Sequence, residues 1–146
     1  MKISKLSTRV ATIWIEDDGI ARLCFLPNAV IELNNAEEII AAYLEIVKKS
    51  NKTHLPLLSD GRGLKSISHE ARNRFSSENA AKYILANAIL VNSLPTRLIA
   101  NFFIKFHKPT FPVKIFSSEK DAIKWLKSFL KQQSPLIRQM TIKNNK

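Results

Sequence analysis

Residues 10–16 and 20–25 are apolar runs rich in β-formers, and the acidic turn Asp17-Asp-Gly19 separates the two. Such a pattern predicts a β-hairpin. Residues 30–33 extend it with a third short extended piece. The spacing of apolar positions then changes. Ile39, Ile40, Tyr43, Leu44 and Val47 recur at helical spacing, with Asn34 or Asn35 as the expected N-cap, Glu38 three residues after Asn35, and Lys48 and Lys49 at the far end. A short apolar run at 55–59 reads as a strand that ends in the loop Asp60-Gly-Arg-Gly63. Ser68 is placed to cap a helix carrying Ala71 and Phe75 inward and ending between Ser77 and Leu85. Residues 88–91 are continuously apolar, as in a strand covered on both faces. Pro95 suits the first turn of the following helix, which Pro109 and Pro112 stop before a strand at 113–116. Ser117 or Ser118 caps a last amphipathic helix over 119–132, and the polar, basic tail from 133 to 146 is expected to fray.

Strands alternating with helices imply a mixed α/β fold: an antiparallel hairpin, then parallel strands joined by right-handed crossovers. Laid down in order, such strands place the helices on one face of the sheet. The other face is then left to the hairpin, a partner or water. A chain of 146 residues is expected to form a single domain, with a core over 9–131.

The order of elements and several short stretches resemble the STAS domain, the fold of bacterial anti-sigma-factor antagonists, to which the CRAL-TRIO lipid-transfer fold is related. More specifically they resemble small uncharacterised bacterial SpoIIAA-like proteins. The stretches are Ala11-Thr-Ile-Trp14, Asp60 with Gly63 and the serine-rich turn, Ala71-Arg-Asn-Arg-Phe75, Asn101-Phe-Phe103, Lys108-Pro109, and Ile115-Phe116 through Ala122 to Trp125-Leu126. The resemblance spans residues 9–130. It implies a regulatory module that acts by protein contact. In the antagonists a serine after this strand accepts a phosphate and switches partner binding. Here the aligned stretch is Ser68-His69-Glu70-Ala71, so the acceptor position holds His69 or Glu70, and Ser66 and Ser68 are the nearby serines that can substitute.

Composition narrows the chemistry. The single cysteine, Cys24, lies in an apolar run and reads as a small core residue, which fits a reducing cytoplasm and excludes an internal disulfide framework. The apolar stretch from 83 to 106 is interrupted by asparagines, Pro95 and Arg97, so no membrane span is expected, and the basic N-terminus lacks the apolar segment of a secretory signal. His54, His69 and His107 are scattered, with no second ligand at metal spacing, and no Gly-x-Ser-x-Gly element occurs. No enzyme, metal or cofactor is expected. Asp60, Arg62, His69 and Glu70 form the acid–base vocabulary at the strand ends and, with Ser66 and Ser68, the candidate interaction loop.

Two surfaces remain. Leu98, Ile99, Phe102, Phe103 and Phe106 span an arc of about 140° on a helix, with Ile104 outside it. That is wide for a helix covering only a sheet. Beyond core packing, the excess suits contact with a protein partner, a homodimer, or the wall of a pocket for a small apolar or amphipathic ligand. The net charge of +11 is asymmetric, with +1 in residues 1–73 and +10 in 74–146. Lys120, Lys124, Lys127 and Lys131 share a strip of the last helix. A solvated face is the first reading of that strip, and nucleic-acid or anionic-membrane association through the basic half is the alternative.

Overall fold

The computed structural model describes the backbone of residues 5–144 and the side chains of residues 5–131. In chain order the elements are β1 (Leu6–Ser7), β2 (Ala11–Ile15), β3 (Ala21–Phe25), β4 (Ala29–Ile31), α1 (Leu33–Lys49), β5 (Leu55–Asp60), β6 (Leu64–Ile67), α2 (His69–Phe75), α3 (Glu78–Ala81), β7 (Ile84–Leu90), α4 (Leu94–His107), β8 (Val113–Phe116) and α5 (Glu119–Asn144). The main sheet has the order β1-β2-β3-β5-β7-β8. Its first three strands pair antiparallel, and β3, β5, β7 and β8 run parallel. The order of β-rich runs and helically spaced segments therefore specified the class: a hairpin followed by β–α units.

The β2–β3 turn depends on Gly19, which holds φ at +81° while its N–H donates to the Glu16 carbonyl at 3.0 Å. The guanidinium of Arg22 then clamps Asp18 with bonds of 2.6 and 2.8 Å. Gly63 serves close approach instead. A Cβ there would lie 3.0 Å from the Leu26 carbonyl oxygen and 3.1 Å from that of Phe25.

Several local expectations change. The helix α1 begins three residues earlier than a cap at Asn35 implied, with Glu32 at the cap position. Asn35 sits inside the first turn and accepts the Glu32 N–H on Oδ1 at 2.9 Å, so it caps from within rather than from the cap position. Residues 64–67, read as loop, form β6, which pairs parallel with β4 in a separate two-stranded sheet. The short β1 was also not foreseen. The strand expected at 88–91 starts earlier, at Ile84, and the preceding helical region is split into α2 and α3. The helical backbone of α5 continues past Gln132, through Pro135, to Asn144. The fraying expected of the 132–146 tail concerns side chains outside the described residues.

Helices do not all lie on one side. Leu55 and Leu57 of β5 join α1 residues Ala36, Ile39, Tyr43 and Ile46 in one core. Leu58, on the other face of β5, joins Ala86, Ala88 and Leu90 of β7 against Ala122 and Leu126 of α5. The segments carrying α1, α2 and α4 link successive parallel strands, so right-handed crossovers hold them to one face. α5 follows the last strand and closes no crossover. It is free to fold back over the face that the expectation left uncovered. Trp125 is half-buried there, its ring 5.7 Å from Phe116 and 4.8 Å from Phe129.

Candidate functional site

The cap and first turn of α4 are built by Ser93 and Thr96, whose hydroxyls lie 2.9 Å apart, with the Thr96 N–H donating to Ser93 Oγ at 3.3 Å. The helix ends at Lys108, which takes the left-handed conformation ahead of Pro109. Between these ends the five-residue apolar set separates into two faces. Ile99 and Phe103 turn inward with buried Thr96 and Ala100. Outward, Leu94, Leu98, Phe102 and Phe106 follow one another at four-residue intervals, exposed by 68%, 58%, 43% and 60%. An exposed run of that length on one helix is unusual for a surface that stays in water. Ile104, expected outside the arc, is half-buried.

The outward face borders a shallow groove of about 370 Å³ lined by Lys65, Ser66 and Ile67 of β6, Arg72 of α2, and Leu98, Ile99 and Phe102 of α4. Ser66 pairs in register with Val30 of β4, itself an exposed apolar residue, so the small sheet continues the apolar surface beyond the groove. Arg72 holds the three elements together. Its Nη1 donates to the Ile67 carbonyl at 2.6 Å, its Nε donates to His107 Nε2 at 3.2 Å, and its guanidinium lies 4.7 Å from the centre of the Phe102 ring. Because His107 Nε2 accepts, the ring is neutral with its proton on Nδ1. Burial, then the charges of Arg72 and His69, push its pKa below the ordinary histidine value.

Under α4 lies a second space, a cavity of about 100 Å³ between the inward face of the helix and the sheet. Its walls are apolar apart from Ser59, Asn87 and Thr96. Ser59 Oγ donates to Asn87 Oδ1 at 2.8 Å, both residues being buried.

The loop residues do not gather into one acid–base cluster. Arg62 closes back on Asp60 with bonds of 2.9 and 2.8 Å. Burial pushes the Asp60 carboxyl up, but the Arg62 side-chain and backbone hydrogen bonds outweigh it and leave the group below the usual carboxylate range. Ser68 caps α2, accepting the Ala71 N–H at 3.1 Å. His69 is bonded to Asn73 at 3.1 Å, and its ring lies 5.7 Å from that of His107. Glu70 is exposed, and Ser66 is exposed at the groove. The Cys24 thiol is held above its ordinary pKa by burial and then by the Asp60 carboxylate, so it is not an activated nucleophile. Lys120, Lys124, Lys127 and Lys131 are all exposed on α5.

Lys65, Arg72, Ser59 and Asn87 were not singled out from the sequence. Arg72 carries no local signal, because its role comes from three elements meeting. Asn87 does carry one, as a lone amide inside an otherwise apolar central strand.

The sequence profile of a family described as a domain of unknown function, DUF7793, matches residues 13–130. The chain belongs to that family. No curated protein matches the sequence. Among solved structures, the DUF7793 chain is similar to an uncharacterised protein of the DUF3478 family with a SpoIIAA-like fold from Shewanella loihica PV-4, at 15% identity and a TM-score of 0.59, covering 83% of this chain and 98% of that one. It is also similar to the anti-sigma factor antagonist SpoIIAA in its unphosphorylated form, at 13% identity and a TM-score of 0.50, covering 78% and 94% of the two chains. At these identities the likeness establishes a SpoIIAA-like fold and nothing finer. Among the described residues no helix is long and apolar enough to cross a membrane.

Proposed function

We propose that this DUF7793 chain is a single-domain, non-enzymatic interaction module whose contact surface is the outward face of α4 together with the groove along β6. The observation that carries the reading is the run of Leu94, Leu98, Phe102 and Phe106 in water on a helix whose other face already packs inward. Its SpoIIAA-like fold, shared with an anti-sigma factor antagonist, supports a regulatory role by protein contact.

Charge favours a different protein over a second copy. Residues 79–118 hold Lys82, Arg97, Lys105, Lys108 and Lys114 and no Asp or Glu. Lys65 and Arg72 add two cations at the groove. Two such faces repel each other, whereas an amphipathic segment with carboxylates beside its apolar residues is complementary. The lysines of α5 lie on the opposite side of the sheet, with no exposed aromatic platform among the described residues of that helix. We assign that strip to solubility rather than to nucleic acid or an anionic membrane. The single free cysteine, Cys24, supports residence in a reducing cytoplasm.

The test is affinity capture from the native host with the wild type and with the double variant Leu98→Ser, Phe102→Ser. Both side chains are exposed, so the variant should stay folded, losing only about 1–2 kcal/mol with the Arg72 contact and the poorer helix propensity of serine. Loss of the same captured proteins by the variant supports the reading. Identical capture by both, or a solitary monomer in each case, would overturn it. A second reading is favoured by the cavity beneath α4: the binding of a small apolar molecule.

A further inference from the structure

The central strand β7 spends an inward-facing position on Asn87, where a branched apolar residue would pack without any polar group to satisfy. Asn87 is 8% exposed. Its Oδ1 accepts the Ser59 hydroxyl, while its amide nitrogen has no hydrogen-bond partner among the described residues. Nor is that nitrogen sealed away, since no fully enclosed side-chain nitrogen or oxygen is left without a partner. Asn87 instead borders the cavity between β5, β7 and α4. A buried amide with one end satisfied and the other open to an apolar chamber is costly unless something fills the chamber and pairs with it.

We infer that the cavity is a binding site for a small neutral molecule, apolar except for one oxygen that accepts a hydrogen bond from the Asn87 side-chain amide. The size of the chamber limits the ligand. At about 100 Å³ it is two-thirds the size of an engineered cavity of about 150 Å³ that holds benzene, so it fits about four or five non-hydrogen atoms. The walls limit its charge. No ionisable side chain lines the cavity, so a carboxylate or ammonium would be buried without a counter-charge, and a ketone or alcohol would not. Ser59 limits its orientation. By occupying Oδ1 it fixes the amide so that N–H groups face the ligand, which selects an acceptor. Ile99 and Phe103 of α4 form the wall opposite the sheet and supply the apolar contact.

This inference rests on the second reading above and adds to it the polar anchor and the ligand class. Its test uses two probes of equal size and shape, cyclobutanone and methylenecyclobutane, titrated into the full chain by NMR. Both should shift the resonances of Ile99 and Phe103. Cyclobutanone should also give nuclear Overhauser contacts between its ring protons and the Asn87 amide protons. In Asn87→Leu the affinity ratio of ketone to hydrocarbon should fall about tenfold, the scale of one lost hydrogen bond. Binding of both probes with an unchanged ratio and no contact to Asn87 would overturn the inference and leave the cavity reading standing. Binding of neither probe up to its solubility limit would overturn both, with water alone serving the amide. Should Asn87→Leu fail to fold, the wild-type contact to Asn87 decides.

Discussion

Replacing Leu126 by alanine tests how the second face of the sheet is covered. Leu126 is fully buried, in a cluster with Ile20, Leu58 and Leu90 and with three alanines, Ala86, Ala88 and Ala122. Alanines on β7 let α5 approach closely, and Leu126 fills the space they leave. They also cannot move to refill it, because they have no atoms beyond Cβ. A buried leucine-to-alanine change costs about 2–5 kcal/mol depending on how far the site collapses, and a site walled by alanines stays clear of the lower end, at about 3–4 kcal/mol. Total stabilities are about 5–15 kcal/mol, so this is a large share. For a chain of this size, about 2–4 °C per kcal/mol puts the drop in thermal midpoint at roughly 6–16 °C. Urea unfolding followed by circular dichroism gives the free energy, and Lys124→Ala, exposed on the same helix, is the control at about ±0.5 kcal/mol. A cost below about 1 kcal/mol for Leu126→Ala would refute the packing of α5 on this face.

Three further outcomes follow from the hydrogen bonds and charges. Tyr43 is buried in α1, its hydroxyl 3.0 Å from the Leu55 carbonyl and 2.7 Å from that of Tyr83, and Tyr43→Phe should cost about 1–2 kcal/mol in chemical denaturation. Burial raises the Tyr43 pKa well above that of the unfolded chain, so its contribution is complete below about pH 10 and is lost as pH rises further, a loss absent from Tyr43→Phe. His107 has a depressed pKa, so it stabilises the fold above about pH 6.5 and progressively less as pH falls through its folded value. Arg72→Met should move its NMR titration midpoint upward without restoring it fully, since burial remains the largest cause. Asp60 is likewise depressed, and its contribution is present above about pH 4 and lost on acidification. Arg62→Ala should shrink the acid-side slope of stability while changing neutral-pH stability by about 0–1 kcal/mol, because the pair is partly exposed.

The features legible in the sequence are those set by local rules. The β-rich runs, the Asp-Gly turn, the Ser68 and Ser118 caps and the placement of Pro95 each specify a conformation from neighbouring residues alone. β6 was hidden because Leu64-Lys-Ser-Ile67 becomes a strand only by pairing with β4, more than thirty residues away. The side chosen by α5 was hidden because handedness constrains crossovers and not terminal helices. Its one trace was the alternation of Ala86 and Ala88 with Asn87 and Ile89, small residues toward α5 and larger ones toward α4. The width of the α4 apolar arc was visible, but its division into an inward pair and an outward run depends on where the sheet ends beneath it. Arg72 and Lys65 became site residues only when β6, α2 and α4 met around the groove.

The reading that the outer face of α4 is where this module meets its partner is tested most directly by photo-crosslinking in native cells. A benzophenone side chain would be placed at Leu98 or, separately, at Lys124 on the far side of the sheet. A defined crosslinked protein from position 98, absent from position 124, is the predicted result. Equal labelling from both positions, or labelling from 124 alone, would contradict it.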